Sequence, residues 1–307
     1  MGLMFDSLLP VLLLIALGSL LTHFKVIPTE AWNGVDKLTY YALIPALMIS
    51  TLSRATLEVS TLSRVGGALL AGVIIVATLT MLLRPFLVRR GVDGPGFTSV
   101  FQGAVRWNTF SALAIAGSLF GADGTAVVAI AAAIMIPVVN VLTVAVLATY
   151  ARGERLKPGA FVITLVKNPF IWSISLGLAL NLIGNPVPKV LQDTLAMAGN
   201  ATLAVSLIMV GGGLQLASLG RIDTPLVVAS VLKLLIMPCI MMTAGLMIGL
   251  SGPTLGALIV CGSVPTASAS YVLARLMGGD APMIARIMTW QTLIAFVTMP
   301  AFLLLVG

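Results

Sequence analysis

Charge is what this 307-residue chain has least of: Asp, Glu, Lys and Arg together make up 9%, against about 25% in ordinary soluble domains. With 59% hydrophobic residues and a mean hydropathy of +1.11, that shortage excludes a soluble globular protein and leaves a polytopic membrane protein. Histidine is reduced to His23 at the end of an apolar run, an interfacial position. The two cysteines, Cys239 and Cys261, both lie in apolar segments, so neither a disulfide framework nor a metal-ligand spacing is present. No cofactor and no metal are expected. All ten acidic residues (Asp6, Glu30, Asp36, Glu58, Asp93, Asp123, Glu154, Asp193, Asp223, Asp280) fall between apolar runs or at their ends. No carboxylate therefore sits deep in the membrane to hold a sodium ion or a proton. Nor is there a nucleophile–base pair for an intramembrane hydrolase, and the chain is read as a non-enzyme. No ring-forming charge pattern or carbonyl filter marks a channel.

Long apolar runs are plentiful. Ten are marked, approximately Leu8–Phe24, Val35–Leu52, Val65–Val88, Phe97–Phe120, Thr125–Tyr150, Phe161–Ile183, Leu191–Leu216, Leu226–Leu250, Thr254–Gly278 and Ile284–Val306. Each is long enough to cross a bilayer as a helix. Met1–Leu21 lacks a basic start and a small-residue cleavage site, and is read as a retained first span. The net charge of +7 resides in short connections, an orientation signal rather than a nucleic-acid surface. Connections after odd-numbered runs hold Lys25, Lys37, Arg84, Arg89, Arg90, Arg152, Arg155, Lys157, Lys167, Arg221, Arg275 and Arg286. The other side holds only Arg54, Arg64 and Lys189. The basic side is assigned to the cytoplasm, which puts both termini on the non-cytoplasmic face of a bacterial inner membrane.

Markers recur in order along the two halves. Pro10 to Leu17-Gly18 resembles Pro169 to Leu176-Gly177, and Ile27-Pro28 resembles Val187-Pro188. Pro85 matches Pro238, Thr109 matches Thr266, and Pro137 matches Pro300, with offsets between 153 and 163. The chain is divided accordingly into a first five-helix repeat (1–151), a central cytoplasmic loop (152–158) and a second repeat (159–307). Five spans per repeat give the halves opposite topology. The predicted fold is all-α: ten transmembrane helices in two inverted repeats, with broken fourth and ninth helices crossing near the midplane, an architecture of secondary transporters.

Polar residues inside the runs supply the candidate site. Arg106 lies roughly nine residues into the fourth run, about 14 Å along a helix and close to mid-membrane. An arginine there costs about 2.5 kcal/mol or more and normally faces a cavity or a partner. Asn108, Thr109 and Ser111 cluster beside it, and Pro265-Thr266-Ala267-Ser268-Ala269 repeats the pattern in the ninth run. Pro265 removes a backbone donor and frees carbonyls, which Thr266, Ser268 and Ser270 are placed to re-satisfy. Half-helix N-termini and a guanidinium fork together favour a carboxylate. The alternative is that these residues only kink and pack helices. Asn140 and Gln291 either line the same cavity or join helices, and Lys233 either backs the cavity or extends to the interface.

Tyr40-Tyr41-Ala42-Leu43-Ile44-Pro45 within Leu38–Leu52, Trp107-Asn108-Thr109 followed by Gly117, and Val264-Pro265 carry a family resemblance. Across essentially its whole length the chain resembles a bacterial member of the auxin efflux carrier family, the group that includes malonate and malate permeases. The resemblance implies a scaffold of the first, second, sixth and seventh spans and a transport body formed by the others. It also implies organic-anion transport by an elevator-like movement, in a homodimer joined through the scaffold. The family's crossover asparagine matches Asn108, and its polar fifth-span residue matches Asn140. The sequence departs from the pattern in having no second asparagine beside Pro265 and no carboxylate near Thr80. The expectation is a carrier of small organic anions, mono- or dicarboxylates, with Arg106, Asn108, Thr109, Ser111, Asn140, Pro265, Thr266 and Ser268 as the substrate site. A sodium-coupled carrier of the bile-acid-symporter type, and a channel or substrate-sensing receptor, are the alternatives.

Overall fold

The computed structural model describes residues 2–28, 31–54, 59–152, 169–213, 219, 222–267 and 269–306. The described residues are helical and connecting, with no strand among them. In chain order the helices are α1 (Gly2–His23), α2 (Trp32–Leu38), α3 (Ile44–Leu52), α4 (Val59–Leu82), α5 (Arg84–Arg89), α6 (Gly94–Val105) and α7 (Thr109–Leu147). There follow α8 (Pro169–Leu182), α9 (Lys189–Gly212), α10 (Thr224–Val231), α11 (Met237–Met247), α12 (Gly252–Ser263), α13 (Ala269–Met277) and α14 (Ala281–Leu304). Short π-helical turns join α2 to α3 (Thr39–Leu43), extend α7 (Ala148–Arg152) and join α10 to α11 (Leu232–Ile236). Five helical stretches are long and apolar enough to cross a membrane: Ser63–Arg89, Gly94–Ala151, Lys189–Gly212, Thr224–Met247 and Ala281–Leu304. Shorter apolar helices, such as Gly252–Ser263, accompany them. Of the central loop expected at 152–158, all but Arg152 lies outside the described residues, as does the beginning of the sixth run.

Helix starts explain where the acidic residues went. Asp93, Asp223 and Asp280 each N-cap a helix, accepting from the backbone N–H of Gly96 at 2.8 Å, Leu226 at 3.1 Å and Met283 at 2.9 Å. In all three a proline stands two residues after the aspartate (Pro95, Pro225, Pro282), near the first helical position, where its missing N–H costs nothing. Asp223 also pairs with Arg286 through its second oxygen. These carboxylates are thus absorbed by helix termini. At Gly121 the backbone takes φ +61° and ψ −140°, breaking α7 sharply between the fourth and fifth apolar runs. A side chain is strained in that left-handed conformation.

The residues form two compact units: Met1–Leu62, Thr109–Ala133 and Val162–Leu214 in one, and Ser63–Asn108, Ile134–Phe161 and Gln215–Gly307 in the other. Each draws on both halves of the chain. The first unit contains the first, second, sixth and seventh runs, the set the resemblance assigns to a scaffold, and in addition residues 109–133.

In the first unit α1 lies against α9 so closely that a Cβ on Gly18 would overlap the Ile208 carbonyl, and one on Gly211 the Ile15 carbonyl. Small residues of this kind let helix backbones approach where no hydrophobic force drives association. Trp32 covers Gly212 and donates its indole N–H to Thr22 Oγ1 at 2.9 Å. The carbonyls of Leu43, at the end of the π turn, and Leu52, at the end of α3, accept from Thr202 Oγ1 (2.9 Å) and Asn181 Nδ2 (3.0 Å). Leu9, Leu13, Leu17 and Leu20 form an exposed stripe on α1, an arrangement suited to lipid.

In the second unit α6 packs against α10 and α14, and α12 against α11 and α14. Every residue of α6 from Gly96 to Val105 is buried. Gly103 admits the close approach of α10 and α14, because a Cβ there would come within 2.8 Å of Ile287 and 3.2 Å of Ala229. On the face of the Thr224–Met247 stretch that carries Leu226, Ala229 and Ser230, Lys233 is also fully buried. Its Nζ has no hydrogen-bond partner among the described residues.

Candidate functional site

Two helices of the second unit stop inside the membrane-length runs and stop in the same way. Both α6 and α12 span 12 residues and open on Gly-Pro, at Gly94-Pro95 and Gly252-Pro253. Each ends on an extended residue, Arg106 at φ −72°, ψ 154° and Val264 at φ −66°, ψ 148°. Val264 precedes Pro265, and a residue before proline is driven out of the helical region. Arg106 precedes Trp107 and has no such local cause. Twelve residues carry a helix about 18 Å, so both breaks fall well inside a hydrocarbon core of about 30 Å.

The breaks meet. The Asn108 N–H donates to the Pro265 carbonyl at 2.9 Å. Thr266 Oγ1 donates to the Gln102 carbonyl at 3.0 Å, and the Thr266 N–H donates to Gln291 Oε1 at 3.0 Å. Gln291 Nε2 in turn donates to the Gly103 carbonyl at 2.9 Å. Gln102 and Gly103 lie in the last turn of α6; the Gln102 carbonyl also accepts from the Arg106 N–H at 2.9 Å, its own helix's last bond. The freed groups of each break are thus satisfied largely by the other break and by α14. Thr266 serves the carbonyl of the opposite broken helix rather than its own, contrary to the sequence-based expectation; Ser270 Oγ lies 3.5 Å from its hydroxyl.

Arg106 leaves the break toward the later part of α7. Its Nη1 donates to Asn140 Oδ1 at 3.1 Å and to Thr143 Oγ1 at 3.2 Å. Thr143 is oriented by donating to the Val139 carbonyl at 2.8 Å. Both partners are neutral, and among the described residues Arg106 has no ion pair and its Nε no hydrogen-bond partner. A guanidinium held by two neutral oxygens keeps its full charge and retains donors for a further acceptor. A planar two-donor fork fits a carboxylate in a bidentate way.

Of the residues expected at the site, the second unit brings together Arg106, Asn108, Asn140, Pro265 and Thr266. Thr109 and Ser111 begin α7, half-buried and buried respectively, in the portion that belongs to the first unit. Ser268 lies outside the described residues. Thr143 was not anticipated, although its position three residues after Asn140 puts it on the same helix face. Gln102 was also missed. It stands one turn before Arg106, is fully buried, and neither end of its amide has a partner among the described residues.

No curated protein matches the sequence. A family model described as membrane transport protein matches residues 3–303, nearly the whole chain. The long apolar helices agree with a multi-pass membrane protein. The chain belongs to this membrane transport family, that of the auxin efflux carriers.

Proposed function

We propose that this transporter is a carrier of small organic anions, mono- or dicarboxylates, and that Arg106 is the group that recognises the carboxylate. The observation that carries the reading is the Arg106 guanidinium, held beside the two breaks by Asn140 and Thr143 with no acidic partner among the described residues. A cation at that depth costs about 2.5–3.5 kcal/mol, and an anionic substrate is the partner that would offset the cost. Asn108 and Thr266 border the same breaks; Thr109, Ser111, Pro265 and Ser268 complete the proposed set.

The reading includes ten helices in two inverted five-helix repeats, with the broken fourth and ninth helices crossing. The equal lengths and matching end conformations of α6 and α12 support it. So does the hydrogen bond between Asn108 and Pro265. In the transport cycle the unit carrying Arg106 moves as an elevator against the other. The family resemblance supports a homodimer, and the bias of basic residues supports both termini on the outer face of a bacterial inner membrane.

The test is uptake of labelled malonate and malate into proteoliposomes, wild type beside Arg106→Gln, with and without sodium. Saturable, sodium-independent uptake lost in the variant is the expected result. Sodium-dependent uptake would favour the bile-acid-symporter type of coupling, and equal uptake by the variant would remove Arg106 from the site.

A further inference from the structure

The two breaks are unequal in how they are held. Pro265 accounts for the second; nothing local accounts for the first, where Arg106 turns extended without a following proline. Asn140 and Thr143 hold the Arg106 side chain, and three contacts to the backbone of the break come from the second half of the chain: Pro265 O on the Asn108 N–H, Thr266 Oγ1 on Gln102 O, and Gln291 Nε2 on Gly103 O. Gln291 reaches both breaks by its side chain, donating to α6 at Gly103 and accepting from the Thr266 N–H. It is fully buried and belongs to neither broken helix. Its repeat counterpart, by the spacing that matches Pro300 to Pro137, is Val128, which offers no hydrogen bond. The bridge therefore exists on one side of the pseudo-symmetric pair only.

We infer that Gln291 is a positioning residue for substrate recognition: its amide sets the register between the two breaks and so fixes Asn108 and Arg106 where the anion binds. This rests on the carrier reading above. Each amide end has one task, and both tasks concern backbone groups that have no other route to satisfaction in a helix end. If the amide is lost, the Gly103 carbonyl and the Thr266 N–H are orphaned together. The Asn108–Pro265 hydrogen bond, which lies between them, loosens.

The experiment compares wild type, Gln291→Met and Gln291→Glu by two readouts. One is hydrogen–deuterium exchange at the Asn108 amide in detergent; the other is the half-saturation concentration and maximal rate of malonate uptake. Methionine keeps the shape without the amide. It is expected to speed exchange at Asn108 and to raise the half-saturation concentration about tenfold, with the maximal rate within about twofold. Protonated glutamic acid offers one donor and one acceptor as the amide does, so Gln291→Glu is expected to behave as wild type at acidic pH and like methionine at alkaline pH.

Exchange and half-saturation both unchanged in Gln291→Met would overturn the inference. If Gln291→Met does not fold, the pH dependence of Gln291→Glu decides, and its absence overturns the inference equally. If wild type carries neither malonate nor malate, the carrier reading fails on its own, and unchanged Asn108 exchange still tells against the bridge.

Discussion

Asn108 and Pro265, from opposite halves of the chain, are joined by a backbone hydrogen bond of 2.9 Å. Each belongs to a helix break, and each break would otherwise leave polar backbone buried. Unsatisfied groups cost about 1–3 kcal/mol apiece, so the two interruptions stabilise one another. A cost that one broken helix would bear alone is shared by a pair.

Pro265→Ala tests that mutual dependence. Alanine removes the restraint that keeps Val264 extended and lets α12 continue toward α13. The expected outcome is a severalfold slower uptake by a protein that still runs as a single species on size exclusion. Unchanged flux would mean that the break plays no part in transport.

Asn140→Asp sets an internal rival against the substrate. A carboxylate 3.1 Å from Arg106 Nη1 would form an ion pair within the site and occupy the guanidinium. Binding of malonate, followed by isothermal titration in detergent, is expected to weaken at least tenfold, about 1.4 kcal/mol, without loss of thermal stability. Equal or tighter binding would contradict the role given to Arg106.

Helix packing in the first unit is open to a separate test. Gly18 and Gly211 leave no room for a Cβ against the carbonyls of Ile208 and Ile15. Gly18→Ala and Gly211→Ala should each destabilise the protein by about 1–3 kcal/mol, the usual range for overpacking, seen as a lower midpoint of thermal unfolding in detergent. Gly34, with open space around it, should accept alanine without such a change.

Asp223→Ala removes a helix cap and an ion pair at once. The cap is worth about 1 kcal/mol. The pair, half-buried on both sides, adds at most about 1 kcal/mol. Asp93→Ala removes only the cap and should cost less; thermal unfolding of the two variants side by side gives the order.

The helices were legible because apolar runs of membrane length admit few other structures. The second break was legible too, since Pro265 forbids an uninterrupted helix. The first was legible only by its likeness to the second: Arg106 adopts an extended conformation that nothing in Val105-Arg106-Trp107 demands, and its cause is tertiary. Arg106 was marked by its depth in an apolar run, but its partners were not. By sequence Asn140 either lines a cavity or joins helices, and the structure shows it accepting from the arginine. Thr143 carries no sequence signal of its own, because a hydroxyl can always bond its own helix, which Thr143 also does. The allotment of 109–133 to the first unit had no sequence signal, because α7 runs from one unit into the other. Gly121 marks the kink within it.

The central claim, an arginine-dependent carboxylate carrier, is tested most directly by counterflow. Proteoliposomes preloaded with unlabelled malonate are placed in a trace of labelled malate, and entry is followed for wild type and Arg106→Gln. The account predicts transient accumulation above equilibrium in wild type, saturable by external malonate, and none in the variant, which loses the charge-assisted hydrogen bonds worth about 1.5–3 kcal/mol. Accumulation of the same size in both would contradict it, as would a flux in wild type that neither saturates nor responds to the preloaded acid.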